Sequence, residues 1–354
     1  MKRSTRMAAT GGVTFICFLI SFLLLAVPTT TLGADKPIEL KMSVQHGTKG
    51  GKYVRGHLPW SKLVEKATEG KVKITLFPAN SLAKAKENYD AMLDGIVDIG
   101  WCALPHYPGR FPYTELYTLP APGLYEPITS SIAAWRMYKE IPEIQKEWSE
   151  IKLLFFHGYI PMTLATMKKP VRVPADVKGM KVRAAGKGIT NCYKAAGASP
   201  LFAPPSEIFL NLQKGVVQGA MIGWEGLKSF GVTKLAQYYT EIPAFSGPLF
   251  AMCMSKKKWD SMPADVQKAM WSVCGDFGAE FYGKGDSESS RVVVDELNEQ
   301  KKVIVELKPE EMAQWNELAE GVRDKMLVDL KKKGLKVDTV YPKFQKIVKE
   351  VTSK

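Results

Sequence analysis

The sequence predicts an α/β fold arranged in two lobes. Three observations point there. Short alternating apolar segments follow helix-spaced ones through much of the chain. About 320 of the 354 residues remain once an N-terminal leader is set aside, enough for two domains of ordinary size. Long helical stretches return after the alternating halves, so the chain is expected to cross between lobes more than once.

Element by element, IELKMSV (38–44) alternates as a strand. HLPWSKLVEKATEG (57–70) is spaced as a helix at Leu58, Leu63 and Ala67 and stops at Gly70, and KVKITLF (71–77) alternates again. A helix over 83–95 and a strand over 96–101 follow. Six prolines and many aromatics between Pro105 and Pro127 read as a long ordered loop. Helical spacing resumes from Ser130 to Trp148, with strands expected at 151–158, 162–167 and 180–184. SEIFLNLQKG (206–215) reads as a helix capped by Ser206 and ended by Gly215, with VVQGAMIGW a strand after it. Residues 263–300 read as one bent helix or two, weakened by Gly275, Gly278, Gly283 and Gly285. A strand at 302–307 and a helix at 309–334 complete the pattern.

The N-terminus carries Lys2, Arg3 and Arg6 before an uncharged apolar run from Val13 to Val27, then Leu32-Gly33-Ala34. This is the layout of a cleaved export signal, with the cut expected after Ala34. No second long apolar stretch appears, so an exported, soluble mature chain is expected. Removing Lys2, Arg3 and Arg6 takes the formal net charge from +13 to +10, and the excess is scattered. Export makes nucleic acid an unsuitable partner, whereas anionic ligands suit the charge. Cys102, Cys192, Cys253 and Cys274 match no metal-ligand spacing and read as buried or free thiols, with room for one disulfide.

Catalytic motifs are missing. KGMKVRAAGKG (178–188) has Lys181 where a phosphate loop needs glycine and Gly188 where it needs serine or threonine. His46, His57, His106 and His157 lack the spacing of a zinc hydrolase, and no GxSxG or strand-to-helix GxGxxG occurs. No nucleophile, acid or base stands out, and no cofactor or metal is required. Met180, Val182 and Ala184 alternate with Lys181 and Arg183, leaving Arg183 on the face opposite the apolar residues, as a solvated charge or an anion clamp.

HLPWSKLVEKATEGKVKITLFPANSL, ENYDAMLDGIVDIG, the run from Lys169 to Ala220 and KKKWDSMPADVQKAM resemble, in order and spacing, the solute-binding proteins of tripartite ATP-independent periplasmic (TRAP) transporters, the DctP-like family. The resemblance implies a periplasmic receptor of two α/β lobes joined by crossing strands and a long helix, with ligand enclosed between them. It implies lobes of about 35–157 plus 248–290 and about 158–247 plus 291–354. It makes Arg183 the clamp for a ligand carboxylate, a role for which a planar, always-charged guanidinium is suited. It also implies a small and a large membrane permease subunit as partners.

Two departures bear on the ligand. Ile222 stands where the family often carries an asparagine that assists the arginine, and Thr163 falls where members that bind sialic acid carry a further arginine. Sialic acid and small dicarboxylates then lack a partner for their second polar group. Phe202, Ile222, Trp224 and Trp101 are apolar ligand-binding candidates near the same turns, with Thr163, Glu225 and His46 as polar ones. Together they fit a monocarboxylate with an apolar or aromatic body. The same receptor serving a sensor kinase or chemoreceptor, and an exported enzyme acting on an organic acid, are the competing readings.

Overall fold

A computed structural model describes residues 36–159 and 161–353, and the export signal with its cut after Ala34 lies outside them. Along the chain run β1 (Ile38–Ser43), α1 (Leu58–Ala67), β2 (Val72–Phe77), α2 (Asn88–Leu93) and β3 (Ile99–Ala103). Next come α3 (Pro127–Glu140), α4 (Pro142–Glu147), β4 (Lys152–Gly158), β5 (Thr163–Thr166) and β6 (Lys181–Arg183). They are followed by α5 (Lys187–Ala195), β7 (Ser199–Leu201), α6 (Ile208–Gln213), β8 (Gly219–Ile222), α7 (Trp224–Ser229) and β9 (Tyr238–Glu241). The last are β10 (Leu249–Met254), α8 (Lys256–Asp260), α9 (Ala264–Trp271), α10 (Gly275–Glu299), β11 (Val303–Val305), α11 (Pro309–Lys332) and α12 (Val337–Thr352).

The strands form two sheets, the two-lobed α/β fold expected. One has the order β2-β1-β3-β10-β4 and the other β11-β9-β5-β8-β6-β7. In the first sheet β1 pairs parallel with β2 and β3, while β10 runs antiparallel between β3 and β4. In the second, β5 runs antiparallel between β8 and β9, and β6 pairs parallel with β7 and β8. The chain passes from the first sheet to the second between β4 and β5 and returns between β9 and β10. It crosses again between β10 and β11 by way of α10, so two extended segments and one long helix join the lobes. Helix α10 packs on α3 and β4 beside the first sheet and on α7 and β11 beside the second.

Most elements lie where their patterns put them, and the differences have local causes. The helical stretch 130–148 is two helices, because Pro142 has no N–H for the ladder and begins a second one. Ser206 does not cap a helix: it sits within a 3-10 turn, Pro205–Glu207, and α6 starts after it without a side-chain cap. Residues 263–300 form two helices, and the second runs unbroken through its glycines. A Cβ at Gly283 would lie 2.9 Å from the Ile128 Cα, and one at Gly285 would lie 2.9 Å from the Arg55 carbonyl. A Cβ at Gly278 would overlap the Phe155 ring. The glycines are notches that let other backbones approach α10.

Helix α12 lies on α3, with Phe344 near Tyr117 and Glu350 paired to Arg136. It therefore covers the first sheet's helical layer, although the sequence grouped residues 291–354 with the other lobe. One large core runs from the first sheet and its helices into the second sheet through Leu164, Val182, Tyr193 and Met221, and a smaller one around Leu212, Trp224, Leu227 and Tyr239 lies beside the second. The cysteines Cys102, Cys192, Cys253 and Cys274 are all buried and free. Among the described residues no helix is long and apolar enough to cross a membrane, and no group of side chains is placed to hold a metal ion.

Candidate functional site

In sheets of parallel strands, ligands gather beyond the carboxyl ends of the strands. Those ends meet here. Arg183 closes β6, Ile222 closes β8, Phe202 follows β7, His46 follows β1, and Trp101 and Ala103 belong to β3. Together with Tyr159, Met162 and Pro248 from the two crossing segments and Phe250 of β10, they line a cavity of about 120 Å³.

Arg183 is 3 % exposed. Its Nε donates to the Ala203 carbonyl at 2.9 Å and its Nη1 to the Met221 carbonyl at 2.8 Å. These bonds fix the plane of the guanidinium, and Nη2 makes no hydrogen bond among the described residues. Among the described residues no carboxylate pairs with it, and burial alone lowers its pKa to about 10, so it stays charged at neutral pH. A buried cation without a counter-ion is costly. Such a group in a cavity marks a candidate site for an anionic ligand.

Lys52 is the other cation in the wall, and it is satisfied. Its ammonium is paired with Asp286 of α10, and both side chains are buried. Burial pushes the Asp286 carboxyl up, but Lys52 and His157 together bring it below the ordinary aspartate range. His157 Nδ1 lies 3.4 Å from the second Asp286 oxygen, while its Nε2 accepts the Trp101 indole N–H at 2.9 Å. An indole only donates, so His157 carries its proton on Nδ1, facing Asp286. Burial lowers its pKa to about 4, and it is neutral. The Trp101 ring, fixed from behind in this way, stacks on Phe250 with centroids 4.5 Å apart and gives the cavity a flat aromatic wall.

Glu225, the second residue of α7, reaches across to the turn before α1. Its carboxylate accepts the Ser229 hydroxyl and the Lys52 backbone N–H at 3.4 Å. A Cβ at Gly51 would lie 2.9 Å from Glu225 Cγ, so glycine is needed there for the approach. His106 and Gln45 meet at 3.2 Å on the cavity wall, and Arg183 is the charge that most affects His106, whose pKa burial first and that charge second lower.

Of the eight residues nominated from sequence, Arg183, Phe202, Ile222, Trp101, Glu225 and His46 line this cavity. Phe202 does so from the mouth, at 61 % exposure. Trp224 is a correction. Gly223 is extended and caps α7, so Trp224 turns into the smaller core, its indole N–H donating to Glu241, while Ile222, Gly223 and Glu225 face the cavity. Thr163 is a second correction. It is fully buried in β5 between Ile222 and Glu241 and does not reach the cavity. Lys52, Tyr159, His106 and Phe250 were not nominated. No spacing links them, because they come from four separate stretches of chain.

The match to known proteins agrees with this geometry. Residues 46–329 match the family model DctP, bacterial extracellular solute-binding protein, family 7. The chain belongs to that family, the solute-binding proteins of TRAP transporters. A solute-binding protein of Albidiferax ferrireducens is 27 % identical over 214 residues, 59 % of this chain and 62 % of that one, so the match spans under two thirds of that relative. The C4-dicarboxylate-binding periplasmic protein DctP of Vibrio cholerae is 26 % identical over 88 % of this chain and 94 % of its own. A TRAP periplasmic solute-binding protein from Bordetella bronchiseptica, solved with bound (R)- and (S)-mandelate, superposes with a TM-score of 0.79. It is 26 % identical and is matched over 89 % of this chain and 100 % of that one. A TRAP solute-binding protein from Rhodoferax ferrireducens with copurified benzoate shares the fold, with a TM-score of 0.84 at 22 % identity over 89 % and 99 % of the two chains. Family and neighbours alike are named as receptors for solutes.

Proposed function

We propose that this chain is the periplasmic receptor of a TRAP transporter and captures a monocarboxylate with an apolar or aromatic body. The observation that carries the reading is Arg183, a buried guanidinium with no counter-ion at the wall of an otherwise largely apolar cavity. A ligand carboxylate supplies the missing charge through two charge-assisted hydrogen bonds, and the ligand body lies against Trp101 and Phe250. The mandelate-bound relative from Bordetella bronchiseptica supports an aromatic body.

A second carboxylate is poorly served. Lys52 already belongs to Asp286, and Glu225 puts a negative charge in the same wall. This distinguishes the site from one suited to the C4-dicarboxylates for which the Vibrio cholerae relative is named.

The lobes divide at the two crossing segments, about residues 158 and 248, and close on the ligand by hinge motion. The ligand favours closure by touching both sides at once. The closed receptor then delivers it to the small and large permease subunits, with no catalysis and no cofactor.

A thermal-shift screen of the mature protein against benzoate, phenylacetate, mandelate, succinate and sialic acid tests this. An aromatic monocarboxylate is expected to raise the melting temperature of the wild type and leave that of Arg183→Met unmoved. Equal shifts in both proteins would remove Arg183 from the site, and a response to succinate alone would overturn the monocarboxylate reading.

A further inference from the structure

Behind the cavity wall three side chains form a line: the Tyr282 hydroxyl is 3.0 Å from His57 Nδ1, and His57 Nε2 is 3.1 Å from His46 Nδ1. His57 is fully buried and Tyr282 nearly so. His46 ends the line with its ring against the cavity, and its Nε2 makes no hydrogen bond among the described residues. Burial holds both imidazoles neutral, so each carries a single N–H, and the position of one proton determines the other.

Two arrangements satisfy the two inner contacts. In one, Tyr282 donates to His57 Nδ1, His57 Nε2–H donates to His46 Nδ1, and His46 carries its proton on Nε2, as a donor to the cavity. In the other every bond is reversed, so His57 donates to the tyrosine oxygen. The phenolic proton would then have no acceptor, since His57 is the hydroxyl's only hydrogen-bond partner among the described residues. A buried donor left unsatisfied costs about 1–3 kcal/mol, so the first arrangement is favoured.

We propose that His46 is a specificity-determining donor, held as the Nε2–H tautomer by Tyr282 and His57, and that the captured acid carries a hydrogen-bond acceptor on its body as well as its carboxylate. The inference rests on the proposed function above and adds the second contact point. The contact belongs to the body because the His46 ring stands edge-on to Trp101, centroids 4.8 Å apart, and Trp101 is the wall against which the ligand body lies. Keto, ether and hydroxyl oxygens all qualify. Tyr282 and His57 are positioning residues and touch no ligand.

Two measurements test the proposal. Long-range proton–nitrogen NMR on protein labelled with ¹⁵N-histidine reads the tautomer without ligand, and His46 Nε2 is expected to be protonated in the wild type. A His46 Nε2 that gives the signal of an unprotonated ring nitrogen overturns the proposal. Calorimetric titration then compares bare, acceptor-only and hydroxyl-bearing acids: phenylacetate with phenylglyoxylate and mandelate, and benzoate with its methoxy and hydroxy derivatives. In at least one set the acceptor-only acid is expected to bind about fivefold or more tighter than the bare one, the size of one neutral hydrogen bond. Tyr282→Phe, which keeps the ring and removes the outer donor, should bring that ratio within about twofold. Acids that bind without the preference, or a preference for hydroxyl over keto and methoxy alike, overturn the inference and leave the proposed function standing. A panel in which no acid binds overturns both.

Discussion

Arg183 and Lys52 are two buried cations in the walls of one cavity, and their surroundings differ in kind. Lys52 has a carboxylate partner on α10, and that partner is in turn backed by His157. Arg183 has two backbone carbonyls and no negative charge. Two neutral acceptors orient a guanidinium without neutralising it. The paired cation is balanced within the fold, and removing either member alone would strand a charge in low dielectric. The unpaired one weakens the empty protein and strengthens the loaded one. On the proposed reading, the contrast separates the charge that the ligand completes from the one that the fold already satisfies.

Replacing each cation by methionine separates the two roles. Arg183→Met should cost roughly 3–6 kcal/mol of ligand binding, a loss of about a hundredfold to ten-thousandfold in affinity by calorimetry. The melting temperature of the empty protein should hold or rise, because a desolvated charge is removed. Lys52→Met should show the opposite pattern. A stranded Asp286 is expected to cost roughly 3–5 kcal/mol in denaturant unfolding, with much of the loss recovered in the Lys52→Met/Asp286→Leu double variant. Equal melting-temperature losses in the two single variants would break the comparison.

The histidines behind the wall sharpen it further through pH. Burial lowers the pKa of His46 and His157 from 6.5 to about 4. Between those values the unfolded chain takes up protons that the folded chain refuses, so stability rises with pH across this window. Their contribution is complete above pH 6.5 and is lost as the pH falls toward 4, by at most on the order of 3 kcal/mol for His157. His157→Phe should flatten that part of the profile in thermal melts taken across pH 4 to 7. The smallest effect belongs to Phe202→Ala. That ring is exposed at the mouth, so stability should stay within about 0.5 kcal/mol of wild type while affinity for an aromatic acid falls only a few-fold.

Arg183 was legible because a short alternating strand isolates it between glycines and a family pattern gives that strand a role. Its carbonyl partners Ala203 and Met221 were not, since backbone acceptors carry no residue-type signal. Trp224 misled for a related reason. At a junction between strand and helix the backbone at one residue, here Gly223, decides which neighbour faces the cavity. Histidines at 46, 57 and 157 show no useful spacing, yet they converge with Tyr282 and Asp286 because α10 lies alongside the first sheet. Strand β10 went unread because LFAMCM is buried on both faces and therefore does not alternate.

Helix α10 begins at Gly275, which has a positive φ, and carries Gly278, Gly283 and Gly285 in its interior, each costing about 1 kcal/mol of helix propensity relative to alanine. As a free peptide this segment of about 37 Å would be mostly coil. The glycines are tolerated because α3, β4 and the 53–57 turn press against them once those parts are in place. The helix is thus expected to form only with its neighbours in place. A chain paused before its two sheets have formed should expose the amides of 275–299 to rapid exchange, then protect them together in a single step.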